Sequence, residues 1–189
     1  MAKVKNNALV KGFSGTIGGE LTFRQIGGET FVSKYQKAPT VLATEKKAAV
    51  QTKFGLATAY ARKAVKDPAI KSLYQAFVKG GQRAFNIAMI DALNPPVVQS
   101  IAAENYSGLV GDSILIRAID DFKVASVVVS IYNQKGDLVE KGNAVALENG
   151  ENDWQYIATK SNKEFHGSVI DAVAIDLPGN SASLNIHVS

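Results

Sequence analysis

A change of hydrophobic period near Ala38-Pro39, from about two to about 3.6 residues, and a return to strict alternation after Asn94-Pro95-Pro96 predict an α+β chain. The expected order is an N-terminal arm, a β-hairpin and about three helices over residues 1–94, then a β-sandwich over residues 97–189. Charge reverses at the same place. Met1 to Asn94 carries fifteen Lys and Arg against five Asp and Glu, a net +10, whereas Pro95 to Ser189 carries six against twelve, a net −6. A basic first half followed by an acidic second half points to nucleic acid or to complementary association between copies.

The hairpin organises the first half. Leu21 to Arg24 and Phe31 to Tyr35 are strand-like, and Gly27-Gly28 sits where a two-residue turn needs positive φ twice. With the turn there, Phe23 falls opposite Val32, so Leu21, Phe23 and Val32 share one face while Arg24, Phe31, Ser33 and Tyr35 share the other. A two-stranded hairpin that is apolar on both faces is marginal in water and needs partners. The preceding arm spaces Gly12, Gly15, Gly18 and Gly19. A phosphate loop is excluded there, because no Gly-Lys-Ser/Thr ending, preceding strand or following helix accompanies the glycines. They instead let an extended arm lie close to another backbone, with Phe13 and Ile17 as anchors. Phe13, Ile17, Phe31 and Tyr35 are therefore the predicted assembly interface, and the arm is expected to add contact surface but little core.

Helical periodicity follows. Thr44 precedes Glu45 as a cap before a first-turn acid, and Val50, Phe54, Ala57, Ala61 and Val65 form one stripe. Asp67-Pro68 ends that helix and restarts the next, with Asp67 as cap and Pro68 in the first turn. Ile70, Leu73, Tyr74 and Phe77 make the second stripe; after Gly80-Gly81, Phe85, Ile87, Ala88, Ile90 and Leu93 make the third. The aromatic residues fall on these stripes rather than among the lysines, so base stacking is not indicated and nucleic-acid binding is expected to be weak and nonspecific.

From Ala8 to Pro96, the Gly12-Phe13-Ser14-Gly15 arm, Gly18, the Arg24 strand, Gly28, the second strand, the helix with Phe54, Ala57 and Tyr60, Asp67-Pro68 and Leu73-Tyr74 resemble an uncharacterised bacterial domain family. Its members read as a G-F-S-G-K-x-G arm, a hairpin ending in R-x-x-P and an F-x-x-A helix; here Thr16 replaces the usual Lys, and Lys34 and Pro39 are displaced from the usual spacing. The resemblance implies a domain and no activity.

The second half alternates. Ile114, Ile116 and Ala118 alternate with Leu115, Arg117 and Ile119, Val127, Val129 and Ile131 alternate with Val128, Ser130 and Tyr132, and further strands follow at Leu138-Val139, Trp154 to Ala158, Val169 to Ile175, and Ala182 to Val188. Asp120-Asp121, Lys135-Gly136-Asp137, Glu148-Asn149-Gly150 and Pro178-Gly179-Asn180 are the turns between them. Six or seven short strands so spaced predict an immunoglobulin-like β-sandwich with Trp154 as its core aromatic. Ala174-Ile175-Asp176 followed by Gly179-Asn180 is similar to the A-x-D-x-x-G-N corner of bacterial immunoglobulin-like and fibronectin-like repeats, which implies a fold and no ligand.

The chemistry the sequence offers is thin. The chain has no cysteine and two histidines, His166 and His187, so no thiol, triad or metal cluster follows from spacing, and no catalytic, cofactor or metal residue is predicted. Asp112, Asp120 and Asp121 are the oxygen ligands nearest to a calcium set, but they lack a spaced calcium motif and read as turn formers. No apolar run reaches membrane-spanning length and no signal-peptide core follows the basic start, so synthesis is expected in the cytoplasm with the final location in an assembled particle. The predicted role is a non-enzymatic structural protein that self-assembles as a virion, tail-like particle or surface filament subunit, with its own copies and other structural proteins as partners. The alternatives are a nucleic-acid-binding protein and an adhesin-like binding module.

Overall fold

The computed structural model describes residues 1–5, 7–37, 44–148 and 152–188. The period change at Ala38-Pro39 and the turn at Asn149-Gly150 lie outside them. The described chain is mostly β, with three helices and three four-stranded antiparallel sheets. It divides into two compact units, Met1–Val50 and Gln51–Ser189.

In the first unit, β3 (Leu21–Ile26) and β4 (Glu29–Lys34) pair around Gly27 and Gly28, at φ 59° and 80°, and Phe23 lies opposite Val32. The predicted extended arm folds back onto the hairpin. Its residues supply β1 (Ala2–Lys3) beside β4 and β2 (Gly15–Ile17) beside β3, giving the order β1-β4-β3-β2. The hairpin edges present unpaired N–H and C=O groups, and the glycine-rich segment is free to fold back onto them. Gly18 and Gly19, at φ 60° and 67°, make the reversal that brings Ile17 opposite Leu21.

The second correction concerns the helices. They do not form a domain with the hairpin; α2 (Pro68–Ala76), α3 (Ala84–Leu93) and the later turns of α1 (Glu45–Ala64) belong to the unit that holds the sandwich. Ala61, Ala64, Tyr74, Ala84 and Ala88 are buried in one cluster with Phe122 and Leu177, which lie in loops of the β region. Phe122 packs between Tyr74 and Phe77, with ring centroids 4.5 Å and 4.7 Å away. The stripe predicted for α1 is accordingly only half used: Ala57 and Ala61 are buried, while Val50 and Phe54 are exposed. Asp67 caps α2 as expected, its Oδ1 accepting from the Ala69 and Ile70 N–H groups at 2.9 and 3.3 Å. Asn94-Pro95-Pro96 ends α3 but is no linker, since Pro96 is fully buried and β5 (Val97–Ala102) starts at once.

The remaining strands are β6 (Ser113–Ile119), β7 (Val124–Tyr132), β8 (Leu138–Asn143), β9 (Val145–Ala146), β10 (Asp153–Ile157), β11 (Val169–Asp176) and β12 (Ser181–His187). They form two sheets, β5-β6-β10-β9 and β12-β11-β7-β8. Ile114, Ile116, Val127, Val129, Ile131 and Ile170 from both sheets fill one core, each fully buried aliphatic contributing about 2–3 kcal/mol of transfer free energy. This is a β-sandwich-like fold with helices built onto it, in place of a helical arm followed by a separate immunoglobulin domain. Tyr106 and Tyr156 are its buried aromatics, and Trp154 packs at the margin.

Candidate functional site

Two features stand apart from ordinary packing, one in each unit. The first is the N-terminal sheet. Among its described residues the buried apolar side chain is Phe23, on which Phe13 packs edge-on at 5.9 Å. Phe13, Ile17 and Leu21, 42 to 53% exposed, continue the Phe23 face. Phe31, half-buried and opposite Arg24, lies on the other face, and Tyr35, beyond the strand, donates its N–H to the Glu20 carbonyl at 2.6 Å. The four predicted interface residues are thus all in the sheet unit but not on one face.

The second is a cluster of three carboxylates in the sandwich unit: Asp91 from α3, Asp120 from the loop after β6 and Asp176 from the end of β11. One oxygen from each lies within 4.8 Å of the others, and among the described residues this is the acidic group able to hold one ion. Asp91 is 1% exposed, and its Oδ2 accepts from the Tyr74 hydroxyl at 2.5 Å, which in turn lies 2.8 Å from the Tyr60 hydroxyl. Asp120 Oδ2 accepts from the Phe122 and Lys123 N–H groups. Asp176 is held by the corner motif: Oδ1 accepts from the Gly179 and Asn180 N–H groups at 2.7 and 2.6 Å, and Oδ2 from the Asn180 amide at 2.7 Å. That amide also reaches the Asp91 and Ala92 carbonyls at the end of α3, so one corner fixes helix and strand together.

Each carboxylate thus spends oxygens on protein donors, yet Asp91 Oδ1 and Asp120 Oδ1 are buried and accept nothing. Burial pushes the Asp91 carboxyl up to about 7; the Tyr74 hydrogen bond opposes this and the charges of Asp120 and Asp176 add to it. Asp176 is raised as well, by burial first, against the pull of Asn180 and Gly179. Tyr74 is raised by burial and by its bond to Asp91, so it stays a donor. The ion pairs among the described residues, Lys3–Glu29, Arg117–Asp153 and Lys135–Glu164, do not include the cluster.

The structure therefore separates the three aspartates considered together in the sequence. Asp120 joins the cluster, Asp121 accepts from the Asn94 amide at 2.7 Å, and Asp112 closes a loop by accepting from the Ser107 and Leu109 N–H groups at 2.6 and 2.9 Å. Sequence reasoning missed Asp91. The available signal was a single charge in AFNIAMIDAL, a helix whose other residues are apolar apart from Asn86.

Desolvation would raise the Asp112 carboxyl, but the Leu109 and Ser107 donors outweigh it and hold the group below the usual aspartate range. Its folded pKa is lower than its unfolded one, so its stabilisation is present at neutral pH and lost as pH falls through the folded value. Asp112→Ala should melt slightly below the parent at pH 7, and the gap should close in acid; parallel thermal melts at both pH values check this.

No family model matches the chain, and no curated protein matches it. Among solved structures, the chain is similar to CopC from Methylosinus trichosporium OB3b at 14% identity and TM-score 0.37, over 49% of this chain and 89% of that one. It is similar to an engineered protein at 17% identity and TM-score 0.36, over 52% and 19% of the two chains. A third likeness, at 15% identity and TM-score 0.29 over 43% and 13%, is to the catalytic module of the multi-modular glycogen-degrading pneumococcal virulence factor SpuA. Similarity at these scores defines neither a family nor a ligand.

Proposed function

We propose that the protein is a non-enzymatic structural subunit that assembles with its own copies through the N-terminal sheet, as in a virion, tail-like particle or surface filament. The observation that carries the reading is the thinness of that sheet's core. Burying Phe23 yields roughly 2–3 kcal/mol, whereas ordering each residue of the unit costs on the order of 1–2 kcal/mol. Four strands with one buried aromatic leave Phe13, Ile17 and Leu21 to be covered by something else. A second copy suits that face, because Met1–Val50 carries eight Lys and Arg against three Asp and Glu, a net +5, while Pro95 to Ser189 carries a net −6. The sheet of one copy therefore attracts the acidic strands of the next head to tail, and contacts of that kind build rings or filaments. No helix among the described residues is long and apolar enough to cross a membrane.

The test is particle mass by light scattering at several protein and salt concentrations, for the parent and for Ile17→Asp and Leu21→Asp. These two residues face each other across β2 and β3 and are exposed, so the monomer tolerates the change while an interface that desolvates them does not. Large species in the parent and their loss in both variants are expected. A parent that stays monomeric at high concentration, or variants that assemble unchanged, would sink the reading.

A further inference from the structure

We propose that Asp91, Asp120 and Asp176 bind one hard divalent cation of calcium size between the last turn of α3 and the end of the sandwich. Calcium takes oxygen ligands at about 2.3–2.6 Å, so two ligands on opposite sides of one ion stand about 5 Å apart. Three oxygens within 4.8 Å of one another meet that requirement with the backbone where it is. They also come from three separate segments, so their convergence is not an accident of one acidic loop.

The second observation is the pair of unpartnered oxygens. Asp91 is 1% exposed, yet its Oδ1 accepts no hydrogen bond from the described chain, and Asp120 Oδ1 is in the same state. A buried carboxylate oxygen without a partner is costly, and here two of them belong to a like-charged trio with no ion-pair partner among the described residues. The partnered oxygens, in contrast, are held by Tyr74, by the Phe122 and Lys123 N–H groups and by the Gly179-Asn180 corner. Asp91 and Asp120 thus each keep one oxygen on a protein donor and one without a partner, the arrangement by which donors behind a carboxylate orient it toward a metal, while Asp176 would offer a lone pair of an oxygen already held by the corner. The all-oxygen set selects a hard cation over zinc or copper.

Access is built in. Asp120 lines a cleft of about 490 Å³ with Leu73, Phe77 and Phe122, and Asp91 lines a second of about 190 Å³ with Ile87 and Ile90. Water entering by these clefts completes the coordination. The rival occupant is a proton shared between Asp91 and Asp120. It neutralises one charge of three and leaves Asp176 out, whereas a divalent ion neutralises two and ties all three segments.

The experiment uses the full chain, stripped with a chelator and melted with calcium or magnesium added, following Trp154 fluorescence. Calcium at about a hundred times its Kd should raise the melting temperature by on the order of 5 °C, and magnesium at the same concentration far less. Asp120→Asn keeps an acceptor for the Phe122 and Lys123 N–H groups and removes one like charge. It should melt at or above the parent in chelator and lose the calcium gain. Asp171→Asn, on β11 outside the cluster, should keep that gain in full. No calcium shift in the parent, an equal shift in Asp120→Asn, or a response to magnesium alone would each overturn the proposal; a more stable Asp120→Asn with a calcium-blind parent would assign the pair to the shared proton instead.

Discussion

Deletion of Met1 to Gly19 should unfold the N-terminal sheet and abolish large assemblies in one step. The segment supplies β1 and β2, the two outer strands, and it carries Phe13, the ring that packs on Phe23. What remains is the β3–β4 hairpin, which is marginal by itself in water. The arm is therefore structural as well as adhesive, contrary to the expectation that it adds little core. Circular dichroism should show lost strand signal, and light scattering should show only small species. The sandwich, reported by Trp154, should keep its own melting transition. Large species that survive the deletion would place the interface elsewhere.

Tyr74→Ala should be the most damaging single substitution in the helical layer. Tyr74 is fully buried, stacks on Phe122 and donates to Asp91. Emptying the site costs about 3–5 kcal/mol for packing, and stripping a buried acceptor of its donor adds about 1–3 kcal/mol. Against a typical stability of about 5–15 kcal/mol, the variant should sit near its unfolding threshold. Tyr74→Phe separates the two contributions, because it keeps the ring and removes only the hydroxyl. Urea titration followed by Trp154 fluorescence measures both. A Phe variant as stable as the parent would mean that the hydroxyl bond has no net value.

How much was legible in the sequence depends on the range of each interaction. The pairing of Phe23 with Val32 was readable because two adjacent glycines fix the turn and the turn fixes the register. The alternation in β6 and β7 was readable because a period of two needs only a few residues to show itself. Ala2–Lys3 and Gly15–Ile17 were not, being too short to carry a period. The attachment of the helices to the sandwich was hidden because it rests on Phe122 and Leu177, single residues in loops. The carboxylate cluster was hidden for the same reason: Asp120 and Asp176 were visible one at a time, but nothing local announces that Asp91 lies between them.

The Asn180 amide that reaches the Asp91 carbonyl spans 89 positions along the chain. At about 5–20 residues per second, a ribosome needs between about four and eighteen seconds to make that stretch. During this interval α3 has been synthesised but its seat, formed by Phe122, Leu177 and the Asp176 corner, has not. β5 waits as well, since its neighbours in space include β12, the last strand. The unit Gln51–Ser189 therefore cannot close vectorially from its N-terminal end, and the predominantly apolar α3 waits for β11 and β12 to be made.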